Sequence, residues 1–162
     1  ISSVIRLNNQ RRRFVLTIAG KPSSDAIDEE IKQIQKDNPE SIVYLGSSFS
    51  SGNKDSFERL STFDLNVFPT RYFHECVPGS VIDNLMAGVP TLSTKFFGYQ
   101  DMIDETCAFF LENTDPSTID ETLDFIYKNQ RSLFEKRALC KEKSSKYSEK
   151  VFISFLKENF NF

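Results

Sequence analysis

The sequence predicts an α/β fold: a doubly wound, Rossmann-like parallel sheet with helices on both faces and a helical C-terminus. Three features carry the prediction. Short apolar runs alternate with helical patterns from residue 13 to residue 112. Alternation of that length joins parallel strands through crossover helices. Beyond Asp115 only helical patterns remain, and 162 residues suit one domain with its own core.

Residues 1–10, ISSVIRLNNQ, read as the tail of a helix. RFVLTIAG (13–20) is an apolar run closed by Gly, the pattern of a buried strand. SSDAIDEEIKQIQKDN (23–38) has a Ser start, early acids, and Ile27, Ile31 and Ile34 at helical spacing. SIVYLG (41–46) is a second strand, NKDSFERLSTF (53–63) a short helix and LNVFPT (65–70) a third strand. A turn and a helix follow, then TLSTKF (91–96), the short helix YQDMIDE (99–105) and the strand CAFFLE (107–112). Asp115-Pro116 predicts an N-cap with Pro at the first helical position. Ile119, Leu123, Phe125 and Ile126 give that helix an apolar side, and SEKVFISFLKENF predicts a last amphipathic helix. In such folds ligands lie beyond the carboxyl ends of the strands. Those ends are AGKP, LGSS, FPTRYFHE and STKFFGYQ, and the serine-rich loop GSSFSSGNK (46–54) falls on the same side.

Composition excludes several classes. A net charge of −3 and a pI near 5.3 do not suit a phosphate-binding surface for nucleic acid. The RRR run at Arg11 to Arg13 reads as a solvated helix end. Cys76, Cys107 and Cys140 are far apart and form no CxxC, so neither a disulfide framework nor a zinc site is predicted, and a reducing, cytoplasmic setting fits. A single histidine, His74, rules out a multi-His metal site, and no apolar run reaches the ~18 residues of a membrane span.

Residues 75–90, ECVPGSVIDNLMAGVP, hold two acids eight residues apart around a Pro-Gly pair. Pro78-Gly79 predicts a sharp turn, and Gly lets backbone approach a ligand closely. Ser80 is expected to cap the helix that follows. Free N–H groups at Gly79, Ser80 and Val81 then make an anion site suited to a diphosphate. Val81, Ile82, Leu85 and Met86 are expected on the buried sides of this helix. Ser80, Asp83 and Ala87 share a small, polar face against which a ribose fits, with Asp83 accepting from both hydroxyls. Glu75 then points to the sugar end of a nucleotide-sugar. The same residues also spell a capping box, Ser80-x-x-Asp83, which needs no ligand, and on spacing alone that reading is the stronger.

The run NVFPTRYFHECVPGSVIDNLMAGVPTLSTKFFGYQDMI resembles the signature region of the family 4 retaining glycosyltransferases with the GT-B fold. Phe68-Pro69-Thr70 stands at the family's strand end, Glu75 and Asp83 at its two spaced acids, and Ala87-Gly88-Val89-Pro90 follows in register. Asp101 falls where the family often carries Glu. FVLTIAG and IVYLG match the two preceding strands, so the resemblance covers roughly residues 10–130. It implies that Glu75 lies beside the donor sugar and is the catalytic position. It also implies that Asp83 binds ribose, and that Pro78, Gly79, Ser80 and Val81 hold the diphosphate. Gly46, in the loop expected to shape the base site around residues 46–51, and Lys21, near a strand end, complete the donor-binding set. The implied reaction is transfer of a hexose, retaining anomeric configuration, from a UDP- or GDP-sugar to a glycan or lipid-linked acceptor in polysaccharide biosynthesis. It takes no metal: no Asp-x-Asp pair occurs.

This chain departs from the pattern at two places. Asp83 is shorter than the usual Glu, and Cys76 replaces a Gly; a small apolar substitute without chemistry is the simpler account of that thiol. The family's basic pair is not matched convincingly by Lys21, Arg71 or Lys95. His74 reads either as a polariser of a sugar hydroxyl or as a loop residue. Residues 1–162 are therefore expected to be one donor-binding domain, the C-terminal half of a GT-B protein. It is cut short at its first strand and loop, lacks the acceptor-binding N-terminal domain, and is inactive alone. The full-length protein is expected in the cytoplasm or peripherally at a membrane. The alternative is a non-catalytic glycosyltransferase-like partner that serves assembly.

Overall fold

The structure, a computed structural model, describes residues 1–10, 13–47 and 54–160. Arg11, Arg12 and most of the serine-rich loop, including the base-site expectation at residues 48–51, lie outside the described residues. The element order is α1 (Ser2–Gln10), β1 (Leu16–Ala19), α2 (Asp25–Asp37), β2 (Ile42–Gly46), α3 (Lys54–Leu60), β3 (Asn66–Phe68), α4 (Gly79–Met86), β4 (Thr91–Thr94), α5 (Tyr99–Met102), β5 (Ala108–Leu111), α6 (Pro116–Lys128), α7 (Gln130–Ser144), a 3-10 turn (Ser145–Tyr147) and α8 (Glu149–Phe160). Every strand pair is parallel, and helices lie on both faces, as the alternating pattern predicts. Strands are shorter than the apolar runs that announce them.

The chain divides into two compact units. The first comprises residues 1–56 and 115–128. Here β1 pairs with β2, Leu16 opposite Ile42 and Ala19 opposite Gly46. Asn8, at the end of α1, orders the entry to β1. Its side-chain oxygen accepts from the N–H groups of Arg13 and Phe14 at 3.0 Å each, and its amide donates to the Ser41 hydroxyl at 2.9 Å. Arg6 on α1 holds Asp120 on α6 at 2.9 Å, and Arg13 pairs with Asp124. Two apolar expectations are corrected in this unit. Phe125 is exposed, and only Leu123 and Ile126 of that stripe are buried. On α2, capped by the Ser24 hydroxyl, Ile27 is exposed and no residue is fully buried.

The second unit comprises residues 57–114 and 129–162. Its sheet has the order β3-β4-β5, with Asn66 opposite Thr91 and Thr91 opposite Ala108. Its core joins α4 (Val81, Leu85), Phe96 just beyond β4, α5 (Met102), β5 (Ala108) and α7 (Cys140). Cys107 and Cys140 are free and buried, and the Cys140 thiol lies 3.6 Å from the Cys107 carbonyl oxygen. The contact with Cys107, and then burial, push the Cys140 thiol well up. Helix α8 keeps its amphipathic pattern, but Val151, Phe152, Ile153 and Phe155 are exposed, so its apolar side is not buried among the described residues.

The turn between α5 and β5 is tied to α7 electrostatically. Asp104 pairs with Lys143 and accepts from the Thr106 N–H at 2.9 Å. The Lys143 contact, then the Thr106 hydroxyl, lower the Asp104 carboxyl to about 2. An unfolded Asp titrates near ~3.9. The folded state therefore binds its proton later, and the stabilisation is present above about pH 4 and lost as pH falls toward 2. A carboxyl-carbon NMR titration of Asp104 is expected to show a midpoint near 2. Lys143→Met should return it toward ~3.9. A midpoint unmoved by that substitution refutes the pairing.

Candidate functional site

The loop from Pro69 to Pro78 leaves the carboxyl end of β3 and delivers the chain to α4. Its course is fixed by β4. The Thr94 hydroxyl donates to the Thr70 carbonyl at 2.6 Å, the Ser93 hydroxyl to the Phe68 carbonyl at 3.1 Å, and the Phe97 N–H to the Phe73 carbonyl at 2.6 Å. The Thr70 hydroxyl in turn accepts from the Tyr72 N–H at 3.1 Å. These bonds suspend Tyr72, Phe73 and His74 at the surface and leave Glu75 half-buried. Cys76 is exposed, its sulfur 3.6 Å from the His74 carbonyl oxygen.

The start of α4 differs from the expected cap. The N-cap residue is Pro78, with φ −69° and ψ 114° and no side-chain bond to the helix. Ser80 is already the second helical residue. Its correction has a direct cause: Pro78 brings a fixed φ suited to that position and supplies the carbonyl that accepts from Val81 at 3.0 Å and Ile82 at 3.3 Å. A capping box requires its Ser or Thr at the N-cap, so Ser80 and Asp83 do not make one. The Val81 N–H turns back to Pro78, which leaves Gly79 and Ser80 as the first-turn N–H groups without an acceptor inside the helix. Nothing lies within 4 Å of where a Cβ on Gly79 would sit, so no neighbouring atom demands glycine there.

Packing then orients the helix. Val81, Asn84 and Leu85 are buried. Met86, expected inside, is exposed, and Ala87, expected on the ligand face, is buried. Asn84 was not foreseen: its side-chain amide donates to the Ser80 carbonyl at 2.8 Å and so braces the first turn. Asp83 stays half-buried one turn into the helix. The exit is a Schellman motif. Gly88, at φ +75°, donates to the Leu85 carbonyl at 3.0 Å, and Val89 donates to the Asn84 carbonyl at 2.8 Å. A Cβ on Gly88 would also meet the Lys141 side chain at 2.7 Å. The Ala-Gly-Val-Pro string is thus a helix stop that reverses the chain into β4.

The structure brings Glu75, Pro78, Gly79, Ser80, Val81 and Asp83 together in the second unit. Lys21 and Gly46 belong to the first. Gly46, at φ +52°, ends β2 and accepts from the Gly20 N–H at 2.8 Å; Lys21 follows, exposed. Arg71 is held by the Thr114 hydroxyl at 2.9 Å, and the Lys95 ammonium lies 5.6 Å from the centre of the Phe110 ring. Sequence reading missed the 3-10 turn after α7. Lys146 and Tyr147 both donate to the Asp101 carbonyl, Tyr147 at 3.2 Å, and with Cys76, Val77 and Phe97 they border a cavity of about 370 Å³. Burial and the Asp101 charge raise the Tyr147 phenol, which keeps it a proton donor.

Residues 1–129 match the family of glycosyl transferases group 1. The chain belongs to this family. No curated protein sequence matches it. Solved glycosyltransferases share its fold at low identity. Anabaena HepE, solved with UDP and glucose, has a TM-score of 0.73 at 14% identity, over 99% of this chain and 44% of HepE. The C-terminal domain of the group 1 glycosyl transferase LpcC from Francisella tularensis has a TM-score of 0.68 at 15% identity, over 91% of this chain and 76% of that domain's chain. Sucrose-phosphate synthase of Thermosynechococcus elongatus has a TM-score of 0.64 at 14% identity, over 88% of this chain and 36% of the enzyme. The chain spans less than half the length of HepE. The group 1 chain therefore carries a GT-B glycosyltransferase domain fold, as its motif region predicts. No helix among its described residues is long and apolar enough to cross a membrane.

Proposed function

We propose that this chain is the donor-binding half of a retaining glycosyltransferase of family 4, which transfers a hexose from a nucleotide-sugar to a glycan or lipid-linked acceptor. The observation that carries the reading is the start of α4. Two N–H groups of the first turn, Gly79 and Ser80, follow Glu75 in the family's register, and the N-cap residue supplies no side-chain bond to them. A diphosphate accepts from them and gains from the helix dipole. Asp83, at the family's second acidic position and half-buried one turn into α4, takes the ribose hydroxyls. Glu75 lies beside the donor sugar, and Pro78 sets the angle between the two. Lys21 and Gly46 are donor-binding positions by the family resemblance alone. HepE was solved with UDP and with UDP-glucose, so a uridine nucleotide is the first donor to try. The reading takes no metal, because N–H groups and cations stabilise the leaving diphosphate. A second, acceptor-binding domain completes the enzyme, which works in the cytoplasm or at a membrane's cytoplasmic face.

Titration with UDP, GDP and ADP tests this by NMR. The amide signals of Gly79 and Ser80 are expected to move most. If none of the three nucleotides moves them at millimolar levels, the chain is not a donor domain. Asp83→Asn refines the test. It should weaken nucleotide binding by about 1.5–3 kcal/mol, the size of a charged hydrogen bond, with little change in melting. A variant that melts lower yet binds nucleotide like the parent makes Asp83 structural.

A further inference from the structure

Several large apolar side chains around Glu75 are exposed without any fold-level need. Tyr72 is 63% exposed, Phe73 60% and Phe97 59%. They are not loose. The Phe97 N–H holds the Phe73 carbonyl, and the two rings meet edge to face at 6.4 Å. His74 stands 5.5 Å from the Phe73 ring and 6.1 Å from the Tyr72 ring. Phe97 also borders the 370 Å³ cavity whose lining includes Asp101, Lys146 and Tyr147. An aromatic platform therefore runs into a concave space with polar groups around it. In chain order Tyr72 and Phe73 come just before Glu75, and Phe97 follows α4 and β4.

We infer that Tyr72, Phe73 and Phe97, with the cavity behind Phe97, form a subsite for a pyranose ring of the acceptor glycan. The inference rests on the donor-half reading above. The chemistry matches a sugar better than a lipid tail. A pyranose has an apolar C–H face that packs on an aromatic ring, and a rim of hydroxyls that needs partners. His74, the Asp101 carboxylate, the Lys146 ammonium and the Tyr147 phenol are such partners. A hydrocarbon chain would strip water from Asp101 and Lys146 and return no hydrogen bonds. The volume lies within the range of small-molecule sites. On this view the donor half supplies part of the acceptor's grip, beside the acid next to which the bond forms.

The test uses the methyl glycosides of glucose, mannose and galactose as probes at tens of millimolar, watched through the ring protons of Phe73, Phe97 and Tyr147. At least one glycoside should move these signals. Phe73→Ala and Phe97→Ala should each weaken it about tenfold, the scale of one lost aromatic contact. UDP affinity should stay unchanged in both variants. Both side chains are exposed, so the fold is expected to survive, and melting curves check this. Glycoside binding that persists beside saturating UDP-glucose supports an acceptor subsite. Displacement by UDP-glucose instead makes the platform a donor-sugar contact and overturns the inference. It is overturned too if no glycoside moves the rings, whether dodecylphosphocholine micelles do or raising the protein concentration alone does. Loss of UDP binding with glycoside binding intact strikes the donor reading but leaves a sugar site at these residues.

Discussion

Phe96→Ala is expected to cost about 3–5 kcal/mol of stability, the range for deleting a buried ring. Its neighbour Phe97→Ala should stay within about 0.5 kcal/mol, as exposed substitutions do. Both residues follow β4, but Phe96 is buried and Phe97 is exposed. Phe96 is 2% exposed and meets Phe68 edge-on at 6.0 Å and Tyr99 at 6.3 Å. It also belongs to the cluster that holds Val81 and Leu85 of α4. A cavity there removes contacts from the face that positions the helix start, so nucleotide binding should weaken along with the fold. A domain has only about 5–15 kcal/mol to lose. Urea unfolding of both variants gives the comparison, and equal costs for the two would mean that the core is wrongly placed. Phe96→Leu, which keeps much of the volume, should fall between them.

The parallel fold was legible because it depends on patterns that survive without tertiary information. Each crossover helix lies between two apolar runs, and Gly or Pro marks the ends. The exposed faces were not legible. Ile27 has the helical spacing of Ile31 and Ile34, yet it is exposed, whereas Phe125, two residues after Leu123, lies off the Leu123–Ile126 stripe. Periodicity places a residue on a side of the helix, but it cannot say how far the neighbouring element extends. The same limit explains α8, whose apolar pattern is clear while its cover is not among the described residues.

The site was legible to the extent that it is local. Glu75, Gly79 and Asp83 sit within nine residues, and their relation follows from one helix start. The error was a shift of two residues in the cap. Ser80 has the stronger propensity for an N-cap, but Pro78 ends the preceding loop with a φ that already suits the position. That shift removed the capping-box alternative, which the spacing alone had favoured. Asn84, Lys146 and Tyr147 were invisible for another reason. Asn84 acts by bonding back one turn, which any polar helical residue can do. Lys146 and Tyr147 reach Asp101 across more than forty residues of sequence. No spacing rule connects such positions before the fold is known.

Glu75→Gln in the complete polypeptide is expected to lower glycosyl transfer by about a hundredfold or more, the scale of losing a charged group beside the reacting centre. The substitution is nearly isosteric, and Glu75 is only half-buried, so folding should be unaffected. Nucleotide affinity should also hold, because the proposed contacts to diphosphate and ribose, Gly79, Ser80 and Asp83, lie beyond the Pro78 turn. The expected pattern is therefore a fall in kcat with little change in UDP affinity or melting. That combination separates Glu75 from Asp83, whose loss should appear in binding first. It also decides between the two readings of the chain. A parent protein that binds nucleotide but transfers no sugar, and a variant no different from it, would identify a non-catalytic partner in which the acid is a remnant. A parent that transfers sugar and a variant within about threefold of it would keep the enzyme but take the reaction away from Glu75, since the loss would be below ~1 kcal/mol of transition-state stabilisation. Only the large, kcat-specific loss fits an acid that acts on the donor sugar as its bond to the diphosphate breaks.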